Sequence, residues 1–155
     1  LTMRDDHGED FLLVADDLAR TMPSPRNVVI LAKACERVGK MDRAVRAAEN
    51  AVRAETNSFL ANHTLGVLLA MSAKDEAQLH RSLEQLSATS KRISPSTPSE
   101  DAAQFFVNSA CCCGLHGDYK DGLKLIQEAR QIDPKGQDAE EVETVLLRMR
   151  GPERP

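Results

Sequence analysis

The stretch FFVNSACCCGLHGDYKDGLKLIQEARQIDPKG, residues 105–136, decides how the rest of the chain is read. Its first half is a run of apolar and small residues that closes on Gly117. Its second half carries Leu123, Ile126, Ala129 and Ile132 at helical spacing, and Pro134 stops it. The pattern predicts a helix, a short glycine turn and a second helix. It also holds Cys111, Cys112 and Cys113 just ahead of His116, a grouping that raises metal or redox chemistry as a rival reading.

A second stretch, NVVILAKACERVGKMDRAVRAAENAVRAETN at residues 27–57, aligns with the first without gaps when Gly39 is placed on Gly117. Val28 then meets Phe106, Ala32 meets Ala110, Cys35 meets Cys113, Met41 meets Tyr119, Val45 meets Leu123 and Ala51 meets Ala129. Internal repetition of this kind predicts stacked copies of one helical hairpin. The glycines lie 78 residues apart, which is two periods of about 34 plus roughly ten extra. A diverged middle copy fits between them. It has Leu65, Gly66 and Leu69 on its first helix and Leu79, Leu83 and Leu86 on its second. No turn glycine fixes the register of residues 73–95. The extra length falls in SATSKRISPSTPSE, which reads as a helix end and a loop.

The organisation expected is one domain over 1–155. It comprises an N-terminal helix at 8–22, repeat 1 at 25–57, a diverged repeat 2 with an insertion at 58–95, repeat 3 at 103–136 and a capping helix at 137–150. Phe11, Leu12, Ala15, Leu18 and Ala19 give the first helix one apolar face. Val142, Val145, Leu146 and Met149 do the same for the last, with acids early and arginines late. Leu1 stands where a start methionine would, so the chain reads as part of a larger protein or assembly.

Composition agrees with an all-α protein. Aromatic residues are 3% of the chain and there is no Trp, so Leu, Ala and Val must fill the core. The net charge of −4 argues against a general nucleic-acid binder, but charge is unevenly spread. Arg20 to Arg53 holds eight Lys or Arg against three acids, and Glu100 to Glu143 holds ten acids against four bases. No apolar run is long enough to span a membrane. Adjacent cysteines on a helix diverge and do not make a disulfide framework, which points to a reducing, cytoplasmic setting with export as the open alternative.

LAKACERVGKMDRAVRAAENAV and above all GDYKDGLKLIQEARQIDP resemble the tetratricopeptide repeat (TPR) family, over about residues 25–136. The chain departs from the family pattern with Gly122 where Ala is preferred and Thr56 where Pro is preferred. The resemblance implies an all-α fold, a right-handed superhelix of antiparallel helix pairs forming an α-solenoid of about three repeats plus flanking helices. It also implies a protein-binding concave groove lined by the first helix of each pair, with no catalysis and no cofactor.

Helical phase within that frame puts Arg26, Val29, Lys33 and Arg37 in the groove from repeat 1. His63 and Val67 follow from repeat 2, and Val107, Asn108 and Cys111 from repeat 3, with Gln104 beside them. Such a groove would have a basic end suited to a ligand carrying carboxylates. The bland alternative is a solvated helix face. Some family members hold a C-terminal carboxylate with Lys, Asn and Arg side chains. Lys33 and Asn108 are of suitable type for that, but Val29, Thr64 and Gln104 are not. Cys113, equivalent to Cys35, falls at a core position of the family, and Cys112 is expected to pack toward the preceding unit.

Phosphate loops, HExxH and nucleophile elbows are missing from the sequence, and the basic residues lack interleaved aromatics. The expectation is therefore a protein-interaction scaffold, not an enzyme, with a protein or peptide partner of acidic character. Nucleic-acid and membrane partners are not expected. Self-association into a homo-oligomer is the first alternative, and a metal or redox site at Cys111–His116 the second.

Overall fold

The computed structural model describes residues 6–152. Those residues form eight α-helices and no strand: α1 Asp6–Thr21, α2 Pro25–Arg37, α3 Met41–Ala54, α4 Phe59–Ser72, α5 Glu76–Ser90, α6 Ser99–His116, α7 Tyr119–Ile132 and α8 Gln137–Arg150. The chain divides into two compact units between Ser72 and Ala73. The division falls inside residues 58–95, so α4 ends one unit and α5 opens the other.

The two glycine turns that aligned in sequence are built alike. Gly39 has φ +77° and Gly117 has φ +88°, a left-handed conformation that a Cβ would strain. Lys40 N donates to Cys35 O at 2.8 Å, and Asp118 N donates to Cys113 O at 2.9 Å. Gly39 N reaches Glu36 O and Gly117 N reaches Gly114 O in the same way. These bonds satisfy the last carbonyls of α2 and α6 and reverse the chain into α3 and α7.

In the first unit, α2 packs on α1, α3 and α4, and α3 packs on α4. Small residues let the helices approach closely: Ala32, Ala34, Ala44 and Ala48 are fully buried beside Cys35, Leu12, Leu65 and Leu68. Ser24 caps α2, its Oγ accepting from Asn27 N at 3.2 Å, with Pro25 entering the first turn. The turn before α4 lacks the family's proline. Asn62 holds it instead, its Nδ2 donating to Thr56 O and Ser58 O, both at 2.8 Å.

In the second unit, α6 packs on α5, α7 and α8, and α7 packs on α8. Ala110, Ile126 and Ala129 form its centre with Ala139 and Leu146 of α8. Asp75 settles the register that the missing glycine left open. Its Oδ1 accepts from Gln78 N at 2.8 Å, and the Gln78 side chain accepts from Lys74 N at 2.8 Å, a reciprocal cap that starts α5 at Glu76. Val145, Leu147 and Met149 of α8 stay exposed. On α1, Leu13 and Val14 are exposed at 68% and 65%.

Candidate functional site

The expected groove residues fall in both units. In the first unit, Arg26, Lys33 and Arg37 are exposed on α2, at spacings of seven and four residues that place them on one face. No acid stands in the first turn of α2. His63 and Val67 of α4 are half-buried, and Met71 beyond them is exposed. The ring of His63 lies 5.7 Å from that of Phe59, tilted at 41°.

Val29 corrects the expectation. It is 2% exposed and sits with Ala51 of α3 and Ala61 of α4 in a small apolar cluster. Helix α2 is covered by α3 and α4 on adjoining sides, so its open face is narrower than a one-sided helix would give. The phase that exposes Lys33 therefore buries Val29.

In the second unit, Asn108 is half-buried and Cys111 exposed on α6. Val107 needs the same correction as Val29: it is 5% exposed and belongs to the core against α7 and α8. Gln104 donates its side-chain amide to Asn108 Oδ1 at 3.0 Å, so the two polar groups form one pair along α6.

The three cysteines point different ways, as residues about 100° apart on a helix must. Cys112 and Cys113 are buried and Cys111 is not. Burial pushes the Cys112 thiol up to about 12, the adjacent Cys111 and Cys113 add to this, and a hydrogen bond with Ser82 of α5 opposes it. Burial raises Cys113 to about 11, with Asp118 and Asp121 adding to the effect. Burial raises Cys111 and Cys35 as well, and the Asp138 carboxylate contributes at Cys111. Thiols held protonated are poor nucleophiles and poor metal ligands.

His116 does not join them. Its Nδ1 lies 3.0 Å from Asp118 Oδ2, off the line of a good hydrogen bond, and its Nε2 lies 3.9 Å from Glu76 Oε1. The ring faces His80 across 6.2 Å. Among the described residues no group of three or more His, Cys, Asp or Glu side chains is placed to hold a metal ion. No described helix is long and apolar enough to cross a membrane.

No family model matches the sequence, and no curated protein sequence matches it. Solved structures do match. One is YrrB, described as a TPR protein with an unusual peptide-binding site, at TM-score 0.69 and 18% identity, over 90% of this chain and 67% of that one. Another is MamA, from residue 41 to its end, from Desulfovibrio magneticus RS-1, at TM-score 0.67 and 19% identity, over 93% of this chain and 76% of that one. A MamA RS-1 ArsTM double mutant is similar at TM-score 0.66 and 18% identity, over 90% and 73%. Identity at this level speaks for the fold. The chain has the tetratricopeptide-repeat fold, an all-α solenoid of antiparallel helix pairs.

Proposed function

We propose that the chain is a protein-interaction module that binds an acidic peptide or partner surface along the face shared by α2 and α4. The observation that carries this reading is the row of Arg26, Lys33 and Arg37 exposed along α2, a helix that packs against α4, where His63 and Val67 are half-buried. A preorganised row of cations on one rigid helix suits a ligand that carries carboxylates. The likeness to YrrB, which is described as having a peptide-binding site, supports the same reading. The module acts by binding, and its partner would associate faster and more tightly at low ionic strength.

The test is a fluorescence-anisotropy titration with an acidic peptide, run on the wild type and on Lys33→Glu at low and high salt. Reversing one charge of three is expected to weaken binding about tenfold, and salt to weaken it further. Binding insensitive to both would count against the proposal.

Self-association is a second reading, favoured by the exposure of Leu13 and Val14 on one turn of α1. Sedimentation at two protein concentrations separates the two, because a chain that stays monomeric at the higher one removes the oligomer.

A further inference from the structure

The second unit contains a cavity of about 220 Å³ where the start of α6, the end of α7 and the start of α8 converge. Glu100, Asp133 and Asp138 stand around it, and no Lys, Arg or His lines it. Glu100 and Asp138 occupy the first turns of α6 and α8, where an acid is ordinary because it complements the helix dipole. That explanation covers each carboxylate by itself. It does not account for both first turns opening on one cavity, where Asp133 at the end of α7, its Oδ1 accepting from Lys135 N at 3.1 Å, also stands.

Two helix N-termini contribute about half a positive charge each, and the C-terminus of α7 about half a negative one. Three carboxylates outweigh that sum, so the cavity is negative by more than two charges on the same rough scale. Its floor is aliphatic, from Ala103, Val107 and Ala139. Gln104 also lines it, and with its amide nitrogen given to Asn108 it keeps a carbonyl oxygen able to accept from a ligand. At this volume the space is smaller than the roughly 300–1,000 Å³ of sites for whole small molecules. An aliphatic floor under a carboxylate rim matches a long cationic side chain, whose methylenes seek apolar contact while its head group seeks carboxylates.

We propose that this cavity holds the arginine or lysine side chain of a peptide partner, with Glu100 and Asp138 as its principal counter-charges. The proposal rests on the reading of the chain as a protein-interaction module and adds a second, oppositely charged specificity to it. A partner would then carry a basic residue for this cavity in addition to the acidic residues read by α2.

The experiment uses the full chain and two capped peptides, one with two arginines among glycine and serine, the other with glutamine at those two positions. The arginine peptide is expected to bind and the glutamine peptide to bind at least about tenfold more weakly. The double variant E100Q/D138N should lose about tenfold in affinity for the arginine peptide and none for the acidic peptide read by α2. Far-UV circular dichroism of the variant establishes that the helices persist, and loss of arginine-peptide binding with added salt in the wild type gives an independent arm. Equal affinity for the two peptides, or an unchanged affinity in the folded double variant, overturns the proposal. Binding of the acidic peptide with no binding of the arginine peptide defeats this proposal alone, whereas failure of both peptides defeats the interaction-module reading as well.

Discussion

Leu146 should be the keystone that fastens α8, and its effect can be worked from the glycines beneath it. It is 2% exposed. A Cβ added to Gly114 of α6 would stand 2.7 Å from its Cδ2, and one added to Gly122 of α7 would stand 3.2 Å from its Cδ1. The leucine thus fills a notch that two glycines leave open. In a helix interior, Gly114→Ala gains about 1 kcal/mol of helix propensity. Against this, crowding Leu146 costs about 1–3 kcal/mol. The net expectation is a loss of about 1 kcal/mol in the wild-type background. Leu146→Ala alone should cost about 3 kcal/mol by emptying the notch. With Leu146 already truncated the added methyl no longer collides, and Gly114→Ala should then stabilise by about 1 kcal/mol. The sign reversal amounts to a coupling of about 2 kcal/mol, readable from urea denaturation of the four proteins followed by helical circular dichroism. If Gly114→Ala changes stability equally in both backgrounds, Leu146 is not keyed into that notch. The stakes reach the function, because α8 carries Asp138 and Ala139 into the cavity.

The cysteines and the α4 turn give two further predictions. At neutral pH Cys111, the one exposed thiol, should react with a thiol reagent ahead of the other three, slowly because its thiol is held protonated, and all four cysteines should react after unfolding. A rapid reaction of Cys112 in the folded chain would contradict its burial. Because Cys112 keeps its proton to about 12 in the folded state but only to about 9 when unfolded, the unfolded chain binds fewer protons between those values. Stability should therefore be fully present below about pH 9 and decline as pH rises toward about 12, and Cys112→Ala should flatten that decline. Asn62→Leu leaves Thr56 O and Ser58 O without their side-chain donor and should cost about 1–3 kcal/mol in chemical denaturation. A neutral result there would mean that the turn before α4 holds itself.

Some of this was legible in the sequence and some was not, for identifiable reasons. The alignment of Gly39 with Gly117 carried over to the same left-handed turn and the same pair of hydrogen bonds, because a residue without Cβ at a helix end constrains the backbone locally. The Cys35–Cys113 equivalence likewise ended in two buried thiols. Val29 and Val107 went astray because helical phase assumes one covered side, whereas α2 and α6 each pack against three other helices of their own unit. The register of residues 73–95 was recoverable from Asp75 and Gln78, whose spacing of three is the capping signature, but a search for glycine passes over it. The acidic cavity is a different case. Glu100, Asp133 and Asp138 are each unremarkable where they stand in the chain, and only the packing of α8 on α6 and α7 assembles them.

The most direct test of the central claim is to map the ligand onto the helices by nuclear magnetic resonance. Isotopically labelled chain would be titrated with the acidic peptide, following backbone amide shifts. The account predicts saturable changes at Arg26, Lys33 and Arg37 of α2 and at His63 and Val67 of α4, with none at Arg46 or Arg53 on α3. Changes concentrated on α3, or shifts that never saturate, would contradict it.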